Sequence, residues 1–438
     1  VNRIKRYFSK LPYPIKYIIV NIYSFILVKK RYTKGFLRAL EYYKSIDYTQ
    51  EFKFNERRFL AQIKDNSFYK KAKDIESYPI INKSYIKSNY SKILNREYLY
   101  GYIYTSGTTG SGFKYPVSKE FIEHQWAIFW KFRYIHNLSL DSWCIYISGQ
   151  VLFDTESKKP PFWIKSYPLK QLIFSQYHLN SKSVKLYLEQ MINSKISWLH
   201  AYPSVLSNFA NLILEEDLVS EAKRLNLKVI TTSSERLTKT QRALIERVFN
   251  AKVRELYGLS EGVANIFECE YGTLHIDEEF SYVELIPKED SKDEYQIVGT
   301  TYYNRAFPLV RYNTQDSCIL YSKDFKCKCK RRARAIKEIL GRDEDYLLLA
   351  DGTKIGRLDH IFKTLSEVKE AQIIQYIEGE AIFRVVKGKD YTKESELKLI
   401  KEIKHKLGDS FRYKIEYVNT IQRSPRGKLK FVINEIKR

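Results

Sequence analysis

The sequence predicts a large multi-layer α/β domain followed by a small α+β domain, and three observations carry that expectation. Helical and strand-like apolar segments alternate through residues 143–257. Strand character dominates 276–321, and beyond Gly341 the pattern contracts into a smaller α+β unit. The expected domains are therefore 1–340 and 341–438. With 438 residues, 44% of them hydrophobic and 15% aromatic, the chain is too long for one ordinary domain and has ample apolar material for its cores.

In chain order, residues up to about 95 are helical in pattern, with few turn signals. Residues 11–28 form an apolar stretch broken by Pro12, Pro14, Lys16 and Asn21 and followed by Lys29, Lys30 and Arg31. Its apolar runs are short for a membrane span, and it lacks the small-residue cleavage pattern of a secretory signal. Two readings stay open: a helix packed on the core, or one touching an anionic membrane surface. Residues 101–104 then read as a short strand ending in a loop of Ser, Thr and Gly. Helical segments follow at 121–134, 184–192, 206–214 and 239–248, interleaved with strands at 143–147, 198–201, 228–231 and 253–257. No internal repeat or low-complexity linker interrupts the order.

The 75 Lys and Arg outnumber the 51 Asp and Glu, a balance that draws a protein toward phosphates, anionic lipids or acidic carrier proteins. No basic block stands out from this background, so nucleic acid is not an expected partner. Five cysteines do not make a disulfide framework in a chain of this size. The expected location is a reducing cytoplasm, with the inner face of the membrane as a peripheral site.

The strongest local signal is the loop at 104–114, with Thr105, Ser106, Gly107, Thr108, Thr109 and Gly110 leading to Lys114. Small hydroxyl and glycine residues let a backbone approach a polyphosphate and donate to its oxygens, and a lysine supplies charge. It is not a Walker A loop, because Phe113 stands where that motif needs its lysine. Four further motifs follow in order: Tyr257-Gly258-Leu259-Ser260-Glu261, Arg311-Tyr312-Asn313-Thr314-Gln315-Asp316, Gly341-Arg342-Asp343-Glu344-Asp345 and Ser424-Pro425-Arg426-Gly427-Lys428.

Together these five resemble the signature motifs of the adenylate-forming superfamily, which includes acyl-CoA synthetases and the adenylation domains of peptide synthetases. Residues 159–163, 202–204, 232–235 and 302–316 are similar to the phenylacetate–CoA ligase-like branch, and particularly to its CapK-like members associated with capsular polysaccharide synthesis. The resemblance implies an AMP-forming ligase that uses ATP and Mg²⁺ to activate a small-molecule carboxylate. It implies CoA as acyl acceptor, with a carrier protein or an amine as the alternative. It also implies that 341–438 is a mobile lid turning on a hinge near Asp343 and Glu344.

By the same resemblance, the loop from Thr105 to Lys114 cradles the phosphates and Glu261 holds Mg²⁺. Tyr257, Gly258 and Ser260, with Ser234 and Glu235, surround the base. Asp316 and Arg342 address the ribose, and Lys428 meets the charge that builds in the transition state. Gln315 departs from the family pattern, which has glycine there. A second constellation, Cys269, His275, Cys327 and Cys329, has the donor types of a tetrahedral zinc site, although its Cys-x-Cys spacing is unusual and four unrelated residues are the alternative. Cys144 and Cys318 read as core residues. Trp143, Tyr146, Phe162, Trp163 and Tyr202 read either as an aromatic pocket or as core.

Overall fold

A computed structural model of the chain describes residues 7–436 except 65, 67, 70–72, 105–112, 290, 292, 323, 343–345, 356–357, 363–364, 366 and 425–426. The fold is mixed α/β, and the chain divides into two compact units that each draw on distant segments.

The first unit comprises Val1–Ile22, Trp143–Val253 and Arg342–Arg438. Its larger sheet is built on parallel neighbours: Cys144–Ser148 lies between Gln171–Ser175 and Trp198–His200, and the latter pairs with Val229–Ser233. Trp163–Ser166 closes one edge antiparallel to Gln171–Ser175. Parallel strands need crossovers, which the helices Val184–Ser194, Pro203–Glu215 and Lys239–Phe249 supply. Phe174, Tyr187, Phe209 and Phe249 fill the core between sheet and helices. Phe162 belongs to this core, with Trp143, Trp163 and Tyr202 packed against it, so of the two readings these four follow the core one. Near the C-terminus, a four-stranded sheet runs in the order Arg412–Tyr417, Glu380–Lys387, Val368–Ile377, Val432–Asn434. The helix Lys393–Leu407 lays Leu399, Ile403 and Leu407 at i, i+4 and i+8 into a core with Phe383 and Val385.

The second unit comprises Tyr23–Ser142 and Arg254–Gly341. Its strands are antiparallel where sequence neighbours pair: Ser281–Pro287 with Glu294–Thr301, that strand with Tyr312–Leu320, and Leu274–Ile276 with Asn265–Glu268. Asn265–Glu268 also pairs antiparallel with Val253–Gly258. A separate hairpin joins Gly101–Tyr104 to Lys114–Val117, with Tyr104 opposite Lys114. The helix Lys119–Ile135 starts where the Ser118 hydroxyl accepts the Phe121 N–H at 3.2 Å and buries Phe121, Ile128 and Phe132. Cys318 is fully buried in this unit, as Cys144 is in the first, in line with their reading as core residues.

Candidate functional site

The hairpin geometry explains where the Ser/Thr/Gly loop starts and ends. Tyr104 and Lys114 are cross-strand partners, so residues 105–113 fall between two adjacent strand ends in sequence. Thr105, Ser106, Gly107, Thr108, Thr109 and Gly110 lie outside the described residues. Lys114 is exposed, with its ammonium 3.7 Å from the centre of the Tyr102 ring.

Two of the downstream motifs meet directly within the second unit. The Tyr257 hydroxyl donates to Asp316 Oδ2 at 2.8 Å, joining residues that are 59 positions apart. Both sit in strands, Val253–Gly258 and Tyr312–Leu320, which fix them more firmly than a loop would. Asp316 is buried, and its own N–H bonds to Thr314 Oγ1 at 3.1 Å. Gln315 adopts φ +64°, a left-handed conformation that accounts for the glycine expected there. A glutamine tolerates it with Asn313 Oδ1 accepting its N–H at 2.8 Å. Arg311, also left-handed, is committed to structure: its guanidinium is bidentate to Glu284, at 3.1 and 2.8 Å, and donates to the carbonyls of Glu76 and Tyr78.

Glu261 lies three residues beyond the end of the Tyr257 strand. Tyr115, from the hairpin, is buried close enough for the Glu261 charge to act on its phenol. Burial first, then that charge, push its ionisation well above the usual tyrosine range. Gly258 and Ser260 complete this turn. A Cβ on Gly258 would meet Asn265 Oδ1 at 2.9 Å, so the strand end passes too close to its neighbour for a larger residue without a shift.

The remaining expected residues belong to the first unit. Ser234 takes φ +70° just after the strand Val229–Ser233. Glu235 follows it and is fully engaged: Oε2 accepts the Ser204 N–H at 3.1 Å and Oε1 the Leu429 N–H at 2.9 Å. One carboxylate thus ties the start of the helix Pro203–Glu215 to the segment carrying Lys428. Lys428 is half-buried, with its Nζ 5.9 Å from the centre of the Tyr202 ring. The preceding Gly427 is constrained twice, by φ +79° and by space, since a Cβ there would stand 2.5 Å from Gln176 Nε2 and 2.6 Å from Gly149 Cα. Gln176 also donates to the Gly427 carbonyl at 2.9 Å. For Arg342 only the backbone is described, at the end of the strand Ala335–Arg342.

Sequence reasoning missed the residues that hold this loop. Arg423 donates to Ser204 Oγ at 2.6 Å and pairs with Glu370. Burial raises the Glu370 carboxyl above the usual range; the Arg423 charge opposes that shift and Glu235 adds to it. Ser204 stood inside the singled-out segment 202–204, while Arg423 lies one residue before the motif at 424–428. Nothing in the sequence pointed to Glu370.

The cysteine cluster is assembled in full. Cys269, just past the strand Asn265–Glu268, and His275, on the paired strand Leu274–Ile276, face Cys327 and Cys329 from a later loop. The four ligand atoms lie within 4.8 Å of one another. Cys269 Sγ is 3.7 Å from Cys327 Sγ, and Cys329 Sγ is 3.3 Å from His275 Nε2. A tetrahedron with metal–sulfur bonds of about 2.3 Å has sulfur–sulfur edges of about 3.8 Å, so the donor set fits a zinc-sized ion. His275 Nδ1 donates to the Ala333 carbonyl at 3.0 Å, which turns Nε2 toward the sulfurs as a ligand. Burial lowers the His275 pKa and so favours the neutral ring that a metal needs. No disulfide joins these cysteines.

Comparison with known proteins follows the same lines. Residues 347–435 match a family model described as the CapK C-terminal domain. Protein CapK of Staphylococcus aureus is 27% identical over 455 residues, which cover 98% of this chain and 99% of that one. The chain is a CapK homologue. Its fold is that of the adenylate-forming CoA ligases. A 2-hydroxyisobutyryl-CoA ligase in its postadenylation state, with 2-HIB-AMP, superposes at TM-score 0.61 and 15% identity, covering 97% of this chain and 91% of that one. The anthranilate CoA ligase AuaEII, with anthranoyl-AMP, gives 0.50 at 12% identity over 76% of this chain and 66% of that one.

Proposed function

We propose that the chain is an AMP-forming ligase that adenylates a carboxylic acid with ATP and passes the acyl group to a thiol such as CoA. The observation that carries this is the Tyr257–Asp316 hydrogen bond, which joins two nucleotide motifs in a chain with the adenylate-forming ligase fold. In the first step a carboxylate oxygen attacks the α-phosphorus and the bond to the bridging oxygen breaks, so pyrophosphate leaves with that electron pair. In the second, a thiolate attacks the acyl carbon and AMP departs. Neither step needs covalent help from the protein, so positioning and charge dominate. Asp316 and Arg342 are assigned to the ribose hydroxyls, Tyr257 and Ser234 to the base, and residues 105–114 to the outer phosphates. Glu261 would hold Mg²⁺, which would neutralise phosphate charge. Lys428 serves the adenylation transition state, and the C-terminal domain, hinged near 343–344, carries it. The chain works in the cytoplasm.

A screen of carboxylic acids for ATP-dependent pyrophosphate release tests the reading, with AMP and acyl products analysed after adding CoA, an amine or a carrier protein. One acid should release pyrophosphate and form AMP, with a thioester appearing only when CoA is present. Amide or carrier-bound product would move the acceptor to the alternative class, and ADP formation would overturn the mechanism.

The cysteine cluster is assigned to one structural zinc. Elemental analysis of protein purified without added metal should give about one equivalent, lost on Cys327→Ser. Folded, metal-free protein of unchanged stability would refute that assignment.

A further inference from the structure

The helix Tyr13–Arg31 leaves a broad apolar face exposed. Lys16, Val20 and Ser24, spaced by four, are its buried residues, and Asn21 beside them is tied down twice. The Asn21 amide donates to the Lys165 carbonyl at 3.0 Å and its Oδ1 accepts the Tyr167 N–H at 3.0 Å. The Lys16 ammonium lies 5.0 Å from the centre of the Phe153 ring. The face turned to the protein is thus mixed, with Lys16, Asn21 and Ser24 beside Tyr13, Tyr17 and Val20, which pack on Phe153 and Ile164. Ile15, Ile18, Ile19, Ile22, Phe25 and Ile26 point the other way, on an arc of about 120° at helical spacing. Ile18, Ile22 and Phe25 are 56%, 58% and 53% exposed. An ordinary surface helix turns a polar face to water, and contiguous exposed apolar faces of this kind mark interaction sites.

Charge selects the occupant. No Asp or Glu precedes Glu41, while Lys and Arg recur through that stretch. Lys29 and Lys30 are exposed at the end of the same face, with Arg31 next to them. A second copy of the chain would bring like charge against like, with +24 on each. No described helix is long and apolar enough to cross a membrane. Isoleucines on one side, lysines at the rim and no acidic residue suit a helix lying in the plane of an anionic bilayer.

We propose that the outward face of this helix docks the protein on an anionic lipid surface, with its isoleucines among the acyl chains and Lys29 and Lys30 at the headgroup phosphates. Sedimentation of the full chain with vesicles tests this, using phosphatidylcholine alone or with one third phosphatidylglycerol. The protein should pellet with the anionic vesicles, poorly with the neutral ones, and less in high salt. The variant Ile18→Ser/Ile22→Ser/Phe25→Ser should lower partitioning about tenfold or more with unchanged circular dichroism and melting. Lys29→Glu/Lys30→Glu should weaken binding to the anionic vesicles alone. Absence of binding, equal binding to neutral vesicles, or binding indifferent to the triple variant would overturn the proposal. So would a triple variant that melts markedly earlier, or that turns a dimer into a monomer by light scattering, since the face would then be covered by protein.

Discussion

Asp316 in the second unit and Glu370 in the first are both shielded carboxylates held by a side chain more than fifty positions away, and they are held differently. Asp316 takes its bond from a neutral phenol and stands in a sheet strand. Glu370 is paired with a guanidinium, and the same Arg423 also reaches Ser204 while Glu235 secures Leu429. A neutral donor steadies a carboxylate without cancelling its charge, which suits the hydroxyl-accepting role proposed for Asp316. A charge pair spends both charges on each other, which suits a joint. The second unit therefore offers a prepared surface, and the first unit fastens a lysine-bearing loop.

Removing the lysine itself should have the largest effect. Lys428→Ala should slow pyrophosphate release by about 10²–10³-fold, the scale for losing one preorganised electrostatic donor. Stability should shift by no more than about 1 kcal/mol, because the side chain is only half-buried. Acyl transfer from a synthetic adenylate should survive. Equal loss in both half-reactions, measured separately, would show that Lys428 positions something common to the two.

The joint comes next. Arg423→Ala strands Glu370 with a nearby Glu235 and no guanidinium, and should cost about 3 kcal/mol in denaturant unfolding, as for one partner of a buried pair. Adding Glu370→Gln should recover part of that loss. The matching change in the second unit, Tyr257→Phe, removes a single neutral donor and should cost closer to about 1 kcal/mol. Similar costs at the two sites would erase the contrast drawn between them.

Much of this was legible in the sequence because local chemistry and order suffice for it. Alternation of helix and strand gave the α/β class, and the cysteine and histidine donor types gave the cluster, which the antiparallel pairing of His275 with Phe267 helps to assemble. Gln315 was legible only as a departure; its φ of +64° supplies the reason. The Arg423–Glu370 pair was hidden because nothing local links a loop arginine to a glutamate on the strand Val368–Ile377. The N-terminal helix was hidden in another way. Periodicity reveals an apolar stripe but not which way it faces, and there only the contacts of Asn21 and Lys16 decide it.

The smallest effect concerns the buried scaffold of the second unit. His124 is stacked on Tyr303 at 3.5 Å between ring centres, and its Nδ1 is hydrogen-bonded to the Tyr43 hydroxyl at 2.8 Å. Burial pushes its pKa down to about 4, below the ordinary 6.5. Between those values the unfolded chain binds a proton that the folded chain refuses. Stability from this residue is therefore fully present above pH 6.5 and drains away as pH falls toward 4, by an amount on the order of 2 kcal/mol. His124→Phe keeps the ring and removes the titration. It should lower stability at neutral pH, because the Tyr43 hydroxyl loses its imidazole partner, and flatten the slope of unfolding free energy between pH 6.5 and 4. The slope is the informative readout, since lost packing alone would shift the whole curve and leave its shape. An unchanged slope would mean that the imidazole is protonated inside the fold, and that the second unit, like the first, keeps a buried charge at this place.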